Sequence, residues 1–129
     1  MTIVMATVAM LALAACGTGG KGAAKSDSPS EVVKKAMTCV VNEEYESMVQ
    51  YLDGAAGYTD EEVKQAGAML ALLFSLGDGV KEFAILGEEI DDEGREAEVK
   101  MSLTDKRGKV RQDEVDLVKT DAGWRMKMD

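Results

Sequence analysis

A chain of 129 residues, 46% hydrophobic and 30% charged, has room for one globular domain and is too apolar to be a disordered segment. Its formal net charge of −9 excludes the usual route to nucleic-acid binding, in which Lys and Arg displace counterions from a phosphate backbone. With no histidine, Ser-His and Cys-His nucleophile pairs and the usual zinc ligand are also excluded.

Residues 1–15 are uncharged and apolar, a run shorter than the roughly 20 residues a permanent membrane helix needs. Its end, Leu13-Ala14-Ala15-Cys16-Gly17, resembles the bacterial lipobox: a branched apolar residue, two small residues that fit a peptidase, then the thiol that accepts diacylglycerol. The reading is a signal peptide over 1–15 and lipid attachment at Cys16, with cleavage making that cysteine the first residue. The run lacks the Lys or Arg that normally precedes it, which points to a start upstream of Met1 or to a truncation. Two or three acyl chains such as palmitate, at about 0.8 kcal/mol per buried methylene, hold a protein firmly without any inserting surface. The expected location is therefore the cell membrane or outer membrane, facing outside the cytoplasm, with residues 16–27 as a flexible Gly/Ala/Lys/Ser tether. With Cys16 acylated no intrachain disulfide forms, and Cys39 is expected as a small buried hydrophobe.

The folded part is expected over 28–129. Ser28-Pro29-Ser30-Glu31 is a dense helix start, with a serine cap, a proline in the first turn and a capping-box glutamate. Val32, Val33, Ala36, Met37, Val40 and Val41 follow at helical spacing. A break near Asn42 leads to a short second helix with Tyr45, Met48, Val49 and Leu52 inward. Thr59 and Glu62 form a second capping box, opening a third helix that runs to about Leu76 with Gly77 as its C-cap.

Beyond Gly77 the period changes to alternation. Residues 80–90 read as a bulged strand, Phe83 and Ile85 facing one way and Ala84, Leu86 and Ile90 the other. Ala97, Val99, Met101 and Leu103 alternate with polar residues. A third strand carries Val115 and Leu117, and a fourth Trp124, Met126 and Met128. Pairing Lys119 with Trp124 brings Leu117 to Met126, Val115 to Met128 and Asp116 to Lys127, so apolar and charge pairing agree on one register. The fold class is α+β: N-terminal helices packed on a curved four-stranded antiparallel sheet, the helices covering its apolar face.

The first helix start, the short Tyr-containing helix, the strand opening Val80-Lys81-Glu82-Phe83 and the terminal Gly123-Trp124-Arg125-Met126 together resemble small bacterial lipoproteins of nuclear-transport-factor-two-like fold. That resemblance implies a sheet wrapped as a cone around the first helix, in a superfamily holding ketosteroid isomerases, dehydratases and many non-catalytic binding domains.

Function has few places to reside. A cone lined by Met37, Tyr45, Met48, Met69, Phe83, Met101, Trp124, Met126 and Met128 would either fill a small core or accept a small apolar ligand. Catalysis of the isomerase kind needs a carboxylate base facing a phenol. Only Asp113 is placed for the first, and Tyr45, Tyr51 and Tyr58 for the second, so no catalytic constellation is recognised. The acidic stretches around Asp91 and Asp113 lack calcium-loop spacing and read as solvated tips, leaving no metal site and no cofactor expected. The third helix is apolar on several sides. It is either sandwiched within the domain or offers Leu72, Leu73 and Leu76 to a protein partner or a second copy. The charged outer sheet face argues against a sheet-to-sheet dimer. The expectation is a non-enzymatic, membrane-tethered binding or interaction module. The alternative is a cavity protein for apolar ligands or isomerase-like chemistry.

Overall fold

A computed structural model of the chain describes residues 25–127. The expected signal peptide, Cys16, most of the expected tether and Met128 lie outside these residues. Asp27, the last residue assigned to the tether, is already held by Lys35 at 2.8 Å.

Helix α1 (Pro29–Val41) starts where its capping residues place it. The Ser28 hydroxyl accepts from the Glu31 N–H at 3.2 Å, and the Glu31 carboxylate accepts from the Ser28 N–H at 2.8 Å. Two of the first turn's unpaired donors are thereby satisfied. Val32, Val33, Ala36, Met37 and Val40 form its buried stripe. Helix α2 (Tyr45–Val49) follows, then a 3-10 turn (Ala55–Gly57) and helix α3 (Asp60–Leu76), whose start is fixed by the Thr59–Glu62 capping box.

Strands β1 (Glu82–Ile90), β2 (Glu96–Thr104), β3 (Val110–Thr120) and β4 (Gly123–Met126) form one antiparallel meander in the order β1-β2-β3-β4. The α+β expectation of helices on a curved four-stranded sheet therefore holds. Lys119 pairs with Trp124 and Leu117 with Met126, and the Lys127 N–H donates to the Asp116 carbonyl at 2.8 Å, which is the register that apolar and charge pairing had favoured.

Two placements differ from expectation. The bulge in β1 leaves Leu86 without a partner, since Ile85 pairs with Met101 and Gly87 with Lys100. One extra residue inverts the parity of everything after it, so Ile90 falls opposite Ala97, on the side of Phe83 and Ile85 and not of Ala84. The same inversion puts Glu88 opposite Val99, on the helix side, where its carboxylate accepts from the Ser30 N–H of α1 at 2.9 Å. A strand thus supplies a negative charge to the positive end of the helix it covers.

The second difference concerns coverage. Only α1 lies broadly on the sheet, against β1, β2 and β4, while α3 packs chiefly on α2. Gly67 permits that approach: a Cβ there would lie 2.8 Å from Glu46 Cγ and 3.1 Å from Glu46 Cα. The chain after α2 guards the exposed side of β4, with Met126 N–H donating to Tyr51 O and Asp53 N–H to Met126 O, both at 2.8 Å.

The core joins the α1 stripe to Ala97, Val99, Met101, Leu103, Leu117, Trp124 and Met126. Leu117 is fully buried at its centre. Leu117→Ala is expected to cost about 2–5 kcal/mol, the range for a buried leucine whose cavity cannot collapse, read as a lower urea midpoint at unchanged slope.

Candidate functional site

The cone interior comes first. Met37, Met48, Met101, Trp124 and Met126 are buried and Tyr45 and Phe83 half-buried, all within or packed against one apolar cluster. No buried side chain among the described residues is polar or charged. Met69, read as part of this lining, is instead 66% exposed on the far side of α3. The helical period alone could not say which of two apolar stripes faced inward.

The residues weighed for acid–base chemistry occupy separate places. Tyr45 stacks on Phe74 with ring centroids 6.0 Å apart, Tyr51 is buried beside β4, and Tyr58 is exposed. Asp113 pairs with Met101 and so lies on the inner face, but on an exposed half of β3 where its carboxylate accepts from the Glu114 N–H. Cys39 is half-buried against the core, less enclosed than expected. Among the described residues, no group of three or more potential ligands is disposed to hold a metal, and no helix is long and apolar enough to cross a membrane.

Helix α3 is different. Val63, Ala66, Gly67, Leu70 and Phe74 turn toward the body of the domain. On the opposite side Met69, Leu72, Leu73 and Leu76 are 66%, 61%, 60% and 77% exposed. The two-sided apolar pattern is therefore half used: one side packs, and the side holding Leu72, Leu73 and Leu76 faces solvent. Each of these side chains forgoes roughly 1–2 kcal/mol of burial, about two-thirds of the value for complete enclosure.

Beside the C-terminal end of α3 lies a cationic corner that no spacing in the sequence singles out. The β2–β3 hairpin carries Lys106, Arg107, Lys109 and Arg111, four cations in six residues of a chain with net charge −9. The Asp105 carboxylate builds the turn by accepting from the N–H groups of Arg107 and Lys109, both at 2.9 Å. Lys106 Nζ reaches Glu43 at 2.7 Å and Arg107 Nε reaches Asp78 at 3.5 Å. Among the described residues, Glu43 and Asp78 are the two non-glycine residues with positive φ, at 60° and 66°. Their left-handed backbones end α1 and α3 sharply and aim both carboxylates at the hairpin. An open groove of about 510 Å³ runs between Tyr45, Ala71 and Ser75 on one side and Lys106 and Arg107 on the other.

The hydrogen bond and charge of Lys106 hold the Glu43 carboxyl below its ordinary range, and Glu43 raises Lys106 in return. A lowered folded-state acid contributes stability above its unfolded pKa, lost as pH falls through the folded value. Glu43→Gln should therefore lower the urea midpoint at pH 7, with the difference from the parent chain vanishing near pH 3; a gap that persists in acid would show the contact is not ionic.

No family model and no curated protein matches the chain. Solved structures do. A candidate NTF2-like transpeptidase from Campylobacter jejuni is similar at 20% identity and TM-score 0.56, over 80% of this chain and 100% of that one. A SEC-C motif-containing protein from Rhodopseudomonas palustris is similar at 12% identity and TM-score 0.55, over 78% and 76%. At these identities the likeness is one of fold, and the fold is NTF2-like.

Proposed function

We propose that this chain is a lipid-anchored, extracytoplasmic module that acts by contact and not by catalysis, with α3 as its contact face. The observation that carries the reading is the row of four large apolar side chains left in solvent on α3, beside a cone interior occupied by its own side chains. A chain of this size gains most by burying such residues, and a contiguous exposed set marks an interaction surface. The lipobox-like Leu13-Ala14-Ala15-Cys16 supports the anchor, which holds the protein at the cell membrane or outer membrane and leaves the domain free of insertion.

The transpeptidase chemistry named for the Campylobacter protein is not carried over, because this chain has no histidine and Cys39 lies half-buried in α1. The second reading, a cavity for an apolar ligand or isomerase-like chemistry, is favoured by the methionine-rich lining alone. Saturable sub-micromolar binding of a fatty acid or an apolar dye would put it first.

Two measurements test the proposal. Intact mass spectrometry of membrane-fraction protein should find a chain beginning at acylated Cys16, and Cys16→Ala should abolish the acylated species. An unmodified Cys16, or Met1 retained on protein from the cytosol, sinks the anchor. Leu72→Glu and Leu73→Glu should each shift folding stability by no more than about 0.5 kcal/mol, as surface substitutions do. A loss of several kcal/mol would mean the face is internal and would sink the contact reading.

A further inference from the structure

We propose that Met69 is an oxidation site: a hydroperoxide converts its thioether to the sulfoxide while the fold stands, and the exposed side of α3 ceases to be wholly apolar. The modification needs only the exposure of Met69. Its effect on a partner rests on the reading of α3 as a contact face.

Burial separates this methionine from the others among the described residues. Met37, Met48, Met101 and Met126 are each no more than 5% exposed and belong to the core, whereas Met69 is 66% exposed near the middle of α3. Methionine oxidation follows access of the oxidant to sulfur. The four core thioethers meet an oxidant only when the packing of α1 on the sheet opens, which costs a large part of the folding free energy. Met69 meets it in the native state.

The step needs no help from a neighbouring group, because a thioether has no proton to lose. A lone pair on Met69 Sδ attacks one oxygen of hydrogen peroxide, and the S–O bond forms as the O–O bond breaks. The displaced oxygen takes up the proton of the attacked one and leaves as water. Sulfur gives up two electrons and the peroxide accepts them.

The surroundings of Met69 fix what the product does. Its exposed neighbours one turn away are Gln65, Leu72 and Leu73. No charged residue occurs from Gln65 to Leu76, and the Ser75 hydroxyl is turned back onto Ala71 O and Leu72 O at 2.8 and 3.0 Å. Beyond the Gln65 amide this side of the helix offers the sulfoxide oxygen no side-chain donor, so water hydrates it. Enclosing the side against an apolar surface would strip that oxygen of water without replacement. Oxidation therefore opposes an apolar contact made there and leaves the interior untouched.

The test treats the full chain with hydrogen peroxide at about pH 6, where thiols stay protonated and slow to react while thioether oxidation proceeds. Each site is followed by mass spectrometry of tryptic peptides. Cleavage after Lys64 and Lys81 releases residues 65–81, whose only methionine is Met69. That peptide should gain one oxygen at least about 10-fold faster than the peptides holding Met37, Met48, Met101 and Met126. Thermal melting at that stage should match the untreated chain. Retention on a phenyl column should fall more for the parent than for Met69→Leu, since the two chains share every other methionine, those of residues 1–15 included. Met69 oxidised no faster than Met101 overturns the proposal, while Leu72→Glu melting like the parent keeps the contact reading. Equal loss of retention in the parent and Met69→Leu overturns it too. So does a melt that falls as Met69 alone is oxidised; if Leu72→Glu then also melts far below the parent, this side of α3 is internal and the contact reading fails with it.

Discussion

The packing of α1 into the concave face of the sheet is the interaction on which the rest of this structure depends. Its stripe of Val32, Val33, Ala36, Met37 and Val40 meets Ala97, Val99, Met101 and Leu103 of β2 and the buried Leu117, Trp124 and Met126 of β3 and β4. Small branched side chains on the helix let the sheet approach closely, and methionines fill what is irregular. No buried side chain among the described residues is charged, and no buried side-chain nitrogen or oxygen among them lacks a hydrogen-bond partner. The bulge at Leu86 belongs to the same interaction, because it swings Glu88 onto the helix N-terminus and so ties the sheet to the end of α1 as well as to its flank.

Once α1 occupies the concavity, the other helices have little sheet to cover. α2 and the chain after it seal the β4 side, and α3 is left as a second layer with one side against α2. Its outer leucines follow from this geometry. A helix apolar all round would be buried in a larger protein. Here the domain is too small to enclose it, so the outer stripe remains where another surface can reach it.

The cationic hairpin acquires its meaning from the same arrangement. Lys106 and Arg107 are distant in sequence from α3, yet Glu43 and Asp78, each in a left-handed turn, hold them at its C-terminal end. Each of these two cations is met by a carboxylate, so the corner ties the hairpin to the ends of α1 and α3. The structures sharing this fold supply the frame but not the use of the α3 face, since identities of 12–20% carry architecture and little else.

Local chemistry was legible in the residues alone. Both capping boxes, the helix they open, the alternation of β2, the existence of a bulge and the β3–β4 register all follow from short-range rules, in which neighbours a few positions apart decide the conformation. The apolar run before Cys16 is likewise a local pattern, read without reference to any fold. Tertiary structure decided what periodicity leaves symmetric: which of two apolar stripes on α3 is inside, and hence that Met69 faces water with Leu72, Leu73 and Leu76. It also decided the face on which Glu88 and Ile90 fall after the bulge, and the meeting of Glu43, Asp78, Lys106 and Arg107. These are contacts between residues up to 63 positions apart, and no local preference encodes them; they exist because α1 fills the sheet and every other element must settle around that packing.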